Sequence, residues 1–173
     1  MAQKETKFEI GHRVVYPAHG VGEITNEETQ VVGGQELRLL VISFSKEKMI
    51  LRVPVHRARN TLRHLSSKDE VKEALKILQG RAKVARGMWS RRAQEYELKI
   101  NSGNITAIAE VVRDLHKNVD DPDRSYSERM IYEAALERLA GEFAAVDGIE
   151  VAIATTKITN ALRNLVKKTQ EAA

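Results

Sequence analysis

The sequence predicts an α+β protein in which a small β-barrel of the Tudor/SH3 type, residues 1–64, precedes a compact five-helix domain, residues 65–173. Three observations predict this arrangement. Short apolar stretches separated by glycine and proline fill roughly the first 55 residues. Helical periodicity with cap signals begins near residue 67. Hydrophobic residues make up 42% of the chain, which is enough to bury a core in each part.

The strands of the first part are predicted from alternating apolar residues and from the breakers between them. Gly33 and Gly34 supply the positive φ angles of a tight hairpin turn. Pro54 cannot donate to a ladder of hydrogen bonds, so it ends the last strand or marks a sheet edge. The predicted strands are residues 13–16, 21–24, 31–32, 37–44 and 49–53, and the Gly33-Gly34 turn joins 31–32 to 37–44.

A small barrel of this kind is expected to leave one edge strand free, and an edge strand can bind a strand of another protein. The candidate edge combines apolar side chains with one arginine and ends in proline. An inner strand whose Arg52 points to solvent explains the same pattern equally well. The candidate docking residues are Met49, Ile50, Leu51, Arg52 and Pro54.

The helices of the second part are predicted from caps and apolar stripes. Ser67 and Glu70 form a capping box, as do Ser125 and Glu128, and Asn104 is a further cap. The five helices are expected to begin near residues 67, 89, 104, 125 and 147, and the fourth to end near residue 143. Its apolar stripe is expected to be Met130, Ile131, Ala134, Ala135 and Leu139.

One stretch of the helical part combines the chain's single tryptophan, Trp89, with concentrated positive charge. Residues 81–92 contain five basic side chains and no acidic one. Nucleic acid suits such a stretch, because phosphates bind the charges and an apolar ring can wedge into a base step. The basic residues are Arg81, Lys83, Arg86, Arg91 and Arg92.

A structural role explains Trp89 as well. Trp89, Ala93, Tyr96 and Ile100 follow the spacing of a helix's core-facing stripe. Taken alone, this stretch favours a core anchor over a ligand contact, because a large aromatic residue at helical spacing is usually buried.

Composition limits the function classes. Residues 1–118 carry 21 Lys/Arg and 14 Asp/Glu, whereas residues 119–173 carry 7 and 10, so positive charge is concentrated in the first two thirds. There is no apolar run of membrane-spanning length and no apolar leader. The chain has no cysteine, which excludes a disulfide framework and a thiolate nucleophile. We expect a cytoplasmic protein without membrane contact.

Catalytic and metal-binding patterns are missing from the sequence. No metalloprotease, P-loop or nucleophile-elbow motif occurs, and none of the five histidines pair at i, i+4. We therefore expect no enzyme activity, no cofactor and no metal site. An alternative is a peptide- or modified-residue-binding barrel, but its aromatic cage would have only Phe8, Tyr16 and Phe44 to draw on.

Two sets of motifs resemble the CarD/CdnL family of bacterial transcription regulators. Residues 11–22, which read G-H-R-V-V-Y-P-A-H-G-V-G, are similar to the opening of the family's RNA-polymerase-interacting domain. The transcription-repair coupling factor shares that domain, but this chain has no helicase motifs. Residues 89–92, W-S-R-R, and 109–115, A-E-V-V-R-D-L, resemble motifs of the family's helical DNA-binding domain.

The resemblance implies a partner and a role for each part. The N-terminal domain would dock on the RNA polymerase β subunit, with Arg52 as the basic contact. The helical domain would bind promoter DNA at the upstream edge of the bubble, mostly without sequence specificity, as a nucleoid-associated protein. Because the apolar stripes of the helices are expected to be used up in the domain's own core, we expect a monomer. Trp89 would be a minor-groove wedge beside Arg86, Arg91 and Arg92.

The chain departs from the family pattern at two places. Residues 26–29 lack the basic residue that some members have in the first hairpin, so only the Arg52 contact carries over. Residues 93–94 are Ala-Gln where some members have aromatic and basic residues, which implies a smaller DNA footprint.

Overall fold

The computed structural model describes residues 7–83 and 86–171, with side chains as far as residue 163. The chain divides into two compact units, one ending at Leu65 and the other beginning at Ser66. We call them the sheet unit and the helical unit. The predicted α+β class is confirmed.

The sheet unit is one antiparallel sheet of five strands. Glycines shape it where the sequence predicts. Gly33 and Gly34 have φ angles of 61° and 78° in the turn between the two longest strands, so the predicted hairpin is confirmed. The strands are β1 Arg13–Tyr16, β2 Gly20–Val32, β3 Gln35–Phe44, β4 Met49–Pro54 and β5 Arg63–His64, in the order β4-β3-β2-β1-β5.

The prediction of a barrel is wrong, because the sheet is open. Its edge strands are β4 and β5, and among the described residues they pair only with β3 and β1 respectively. β5 has only two residues, and both pair with β1. The core lies on one face of the sheet, where Ile24, Leu40, Ile42 and Phe44 are almost completely buried.

The described residues contain six α-helices where the sequence predicts five. The additional helix, α1, is a single turn from Ala58 to Thr61 that follows a 3₁₀ turn, Val55–Arg57. Ala58 and Leu62 are buried in the sheet core, which explains why this polar stretch becomes ordered. A four-residue helix is too short to show periodicity in the sequence.

The helical unit contains the other five helices, and its caps form largely as the sequence predicts. Ser67 and Glu70 make both bonds of a capping box, and Asn104 accepts from the Thr106 N–H. Ser125 caps its helix, but Glu128 binds Asn118 instead of closing a second box. The helices are α2 Lys68–Leu78, α3 Trp89–Asn101, α4 Ile105–His116, α5 Tyr126–Asp147 and α6 Val151–Glu171.

Helix α5 differs from the prediction at its end and in its buried face. It continues to Asp147, and Gly148, at φ 66°, terminates it rather than starting α6. Met130 and Ala134 are exposed, whereas Tyr132 and Phe143 are buried. No helix within residues 7–83 and 86–171 is long and apolar enough to cross a membrane.

Candidate nucleic-acid interface and docking edge

Trp89 is the first residue of α3, and the start of this helix differs from the starts of α2, α4 and α5. Those three have Ser67, Asn104 and Ser125 as side-chain caps, whereas Met88 at the start of α3 makes no side-chain cap hydrogen bond. The first turn of α3 has no acidic residue. Because the amide groups at a helix N-terminus favour an anion, this end of α3 is suited to bind one.

The side chain of Trp89 is half-buried, and three neighbours hold it. Its indole N–H donates to Ser127 Oγ of α5 at 3.3 Å. Its ring lies 6.2 Å from the Tyr96 ring, and the Arg92 guanidinium carbon lies 5.4 Å from the Trp89 ring centre. Trp89 packs against the helical core without being enclosed by it. Tyr96 and Ile100 are buried, so the core interpretation of the stripe is confirmed for those two residues.

The two arginines that follow Trp89 occupy different environments. Arg91 is exposed, like Arg81, Lys83 and Arg86. Arg92 is half-buried, and its Nε is buried with no hydrogen-bond partner among the described residues. Arg92 therefore supports the indole through a cation–π contact, whereas Arg91 presents its charge to solvent. Residues 84 and 85, inside the basic run, lie outside the described residues.

Exposed apolar side chains lie close to Trp89 and to Ser127 in the chain, and the sequence did not predict their exposure. Met88, next to Trp89, is 77% exposed. Ser127 brings the start of α5 to the indole, and its neighbour Tyr126 is 75% exposed. Met130, one turn further along α5, is 45% exposed. The available signal was that Tyr126 lies outside the apolar stripe of α5, where an aromatic side chain has no core to enter.

The candidate docking strand, β4, is an edge strand of the sheet. Its position therefore agrees with the first of the two interpretations, an edge strand rather than an inner strand. Met49, Leu51 and Val53 pack on the sheet core. Ile50 is 58% exposed on the opposite face, where Arg52 is also exposed. The edge thus offers one apolar and one cationic side chain beside a backbone that pairs with no second strand in the described part of the chain.

Arg52 is held by an ion pair that crosses the sheet. Its Nε donates to Glu28 of β2 at 2.9 Å, over the intervening strand β3. The hydrogen bond to Glu28 raises the pKa of Arg52. A guanidinium has five N–H donors, so a bond through Nε still permits the terminal nitrogens to bind a partner's carboxylate. On the opposite face of the same hairpin, Glu27 binds Arg38.

The aromatic residues of the sheet unit are packed together. Tyr16 stacks on His19 at 5.4 Å and meets Phe44 edge-on at 6.4 Å. Phe44 is only 2% exposed, so its ring is part of the core and cannot line an open cage. In the part of the chain that the structure describes, no three His, Asp or Glu side chains are grouped to hold a metal ion.

Comparisons with known proteins match both units. The family model described as "CarD, C-terminal domain" matches residues 73–159, and the model described as "CarD-like/TRCF RID domain" matches residues 8–66. The chain is also similar to the "Putative transcription factor YdeB" of Bacillus subtilis (strain 168). The two are 29% identical over 143 residues, which cover 82% of this chain and 94% of that protein.

Proposed function

This chain belongs to the CarD/CdnL family of bacterial transcription regulators, and from that premise we propose that it stabilises the open promoter complex. In this proposal β4 docks on the RNA polymerase β subunit. The start of α3 binds promoter DNA at the upstream edge of the bubble, with Trp89 as a minor-groove wedge.

The observation that carries the proposal is the setting of Trp89. A half-buried indole lies at a helix start with no side-chain cap and no acidic residue, beside the exposed Arg91. A side chain serving only the core would gain from complete enclosure, since buried apolar area is what stabilises it. A wedge needs a fixed ring with an accessible part, which the contacts with Ser127 and Arg92 supply.

The wedge stabilises melted DNA because of an energy difference between two states. A ligand shifts an equilibrium only by its differential affinity for the two forms. Inserting a side chain into an intact duplex costs a few kcal/mol of unstacking. At the edge of a bubble the neighbouring base pairs are already open, so Trp89 enters there at a smaller cost. The open complex is therefore the form that Trp89 prefers.

The phosphates set affinity and position rather than this preference. Arg86 and Arg91 bind backbone phosphates, and the free amides at the start of α3 add an anion site. Arg92 acts mainly by holding the indole. Phosphate contacts carry no base information, so binding is mostly independent of sequence, as a factor serving many promoters requires.

Docking through β4 makes weak DNA binding sufficient. The strand adds to a strand of the β subunit through its backbone, and Arg52 and Ile50 supply the side-chain contacts. Once the factor is tethered to polymerase, its DNA face operates at a high effective concentration. The match of residues 8–66 to the CarD-like/TRCF RID domain supports polymerase as the partner. The factor then acts as a monomer on the nucleoid in the cytoplasm, without enzyme activity or a cofactor.

The proposal is tested by adding the full chain to cognate polymerase and measuring open-complex lifetime on a GC-rich promoter after addition of a DNA competitor. We expect a lifetime longer by about tenfold, the factor that about 1.4 kcal/mol of differential binding produces. Capture of the isolated β subunit by the tagged chain is the parallel test of docking. An unchanged lifetime with polymerase bound refutes open-complex stabilisation, and failure to capture the β subunit refutes the docking partner.

A further inference from the structure

The segment that follows α2, residues 79–83, carries Arg81 and Lys83 and is here called the basic loop. It has no regular secondary structure. A loop of this kind loses about 1–2 kcal/mol of conformational entropy for every residue that becomes fixed when it binds. Contacts that order the loop beforehand therefore raise its affinity for a ligand.

One such contact comes from helix α4. The backbone N–H of Lys83 donates to Asp114 Oδ1 at 2.9 Å. The same oxygen accepts from Arg113 Nε at 2.8 Å. A Cβ built on Gly80 would lie 3.8 Å from Arg113 Nη1, so this guanidinium also lies beside the beginning of the loop. Two adjacent residues of α4 thus reach the basic loop at two points.

Helix α4 is a rigid support for this contact. Val111, Val112 and Leu115 are fully or almost fully buried in the helical core. The side chains of Arg113 and Asp114 are only 11% and 9% exposed, which limits their motion. Arg113 Nη2 is buried without a hydrogen-bond partner among the described residues, so the pair is held closely against the protein.

Asp114 is costly to the helix that carries it. It lies in the last turn of α4, where the helix dipole disfavours a negative charge. Burial of a carboxylate is unfavourable unless it is paired and hydrogen-bonded. Arg113 and the Lys83 amide provide those partners. What Asp114 stabilises therefore lies outside α4: it is the conformation of the basic loop.

We propose that Asp114, supported by Arg113, is a positioning residue for DNA binding: it anchors the basic loop at Lys83 so that Arg81 and Lys83 meet the phosphates when Trp89 enters between the bases. This inference rests on the proposed DNA-binding role of the α3 face. It assigns a role to the Arg-Asp pair in residues 109–115, which lies beneath the loop. Asp114 itself does not touch DNA.

The sharpest test compares Lys83→Pro with Lys83→Ala in the full chain. Both variants lack the amine, but only proline lacks the backbone N–H that Asp114 binds. The probe is a double-stranded promoter fragment with a pre-melted bubble. We expect Lys83→Pro to bind it about fivefold more weakly than Lys83→Ala, the factor for one net hydrogen bond. Equal affinities for the two variants would overturn the proposal.

A second pair of variants changes the acceptor. Asp114→Asn keeps Oδ1 and should bind the same DNA within about twofold of wild type, whereas Asp114→Ala should lose about fivefold. The exchange rate of the Lys83 amide hydrogen should rise at least about fivefold in Asp114→Ala and little in Asp114→Asn. A merely structural Asp114 would leave the affinity of a folded Asp114→Ala protein unchanged. If Asp114→Ala does not fold, the Lys83 pair decides.

Different results contradict the proposed role of Trp89 and the proposed role of Asp114. Trp89→Ala on the same bubble probe tests the wedge, and it does not alter the Lys83–Asp114 contact. If Trp89→Ala binds like wild type while Lys83→Pro remains weaker than Lys83→Ala, the wedge fails and the anchor stands. If Trp89→Ala loses affinity while the two Lys83 variants bind equally, the wedge stands and the anchor fails.

Discussion

The two candidate surfaces of this protein carry similar arginines in opposite electrostatic settings. On the sheet unit, Arg52 and Arg38 each pair with a glutamate of β2. On the helical unit, the described basic residues between positions 81 and 92 lie in a sequence without any acid. A sheet edge whose arginines are paired with glutamates favours a partner that carries charges of both signs and a strand that can pair with β4. A protein offers both. Positive charge in a run without acidic residues favours a polyanion. The difference agrees with the proposal that each unit binds its own partner.

Reversing the charge of Arg52 should have the largest effect. Arg52→Glu places a carboxylate near Glu28 and removes the cation from the β4 edge, so we expect about a hundredfold loss of affinity for the β subunit. Arg38→Glu is the matched control, because it breaks the other arginine–glutamate pair of the same hairpin. Titration of labelled chain with purified β subunit measures both. Equal losses for the two variants would mean that hairpin charge, rather than the β4 edge, determines docking.

Gly22→Ala should lower the stability of the sheet unit and leave that of the helical unit unchanged. The added Cβ would lie 2.6 Å from Ile42 Cγ2 and 2.8 Å from Phe44 Cε1, both in the sheet core. Overpacking of this kind costs about 1–3 kcal/mol. The sheet unit should therefore unfold at lower temperature by circular dichroism. The fluorescence of Trp89, the single tryptophan of the chain, reports the helical unit and should keep its midpoint. A shared shift would show that the units unfold together.

The double variant Arg86→Ala/Arg91→Ala should weaken DNA binding about tenfold and make it less sensitive to salt. Each lost phosphate contact lowers the slope of log affinity against log salt by about 0.9. Affinity for the bubble probe at several salt concentrations provides the slope. Lys72→Ala, which removes an exposed cation of α2, is the control and should leave the slope unchanged. A slope equal to that of wild type in the double variant would contradict phosphate binding by these arginines.

Ser127→Ala should have the smallest effect. It removes the acceptor of the Trp89 indole N–H but leaves the ring contacts with Tyr96 and Arg92. Because this bond is solvent-exposed, we expect open-complex lifetime to fall only about twofold. Ser127→Thr keeps a hydroxyl and should behave like wild type. A fall as large as that caused by removing Trp89 itself would mean that orientation by Ser127 is essential.

Local signals were enough to predict the hairpin turn, most helix caps and most of the first four strands, but not β5. Gly33-Gly34 and Ser67 with Glu70 determine structure through groups within a few residues. The open sheet was not predictable in this way, because closure depends on how the strands are arranged in space. Only eight residues separate β4 from β5 in the chain, but three strands lie between them in the sheet. The one-turn helix α1 was missed for the same reason: its order comes from Ala58 and Leu62 entering the sheet core.

The candidate site shows the same limit. The sequence correctly placed Trp89 at a helix start, but not the supports around it. Arg92 is predicted to bind DNA, and the structure adds a contact of its guanidinium with the indole that the sequence did not indicate. The hydroxyl of buried Tyr132 has a hydrogen-bond partner in His116 Nδ1 at 2.7 Å, which offsets the cost of its burial. Burial lowers the pKa of His116 and raises that of Tyr132. A stripe of apolar residues cannot reveal such polar pairs between helices.

The central claim is that Trp89 acts on melted DNA rather than only in the core. Its most direct test is open-complex lifetime with polymerase saturated by wild type, Trp89→Ala or Leu98→Ala. Leu98, 72% exposed on the same helix, is the control for loss of an apolar surface residue. We predict that Trp89→Ala binds polymerase normally and returns the lifetime to that of polymerase alone, while Leu98→Ala matches wild type. A folded, polymerase-bound Trp89→Ala protein that prolongs the lifetime as wild type does would contradict the claim.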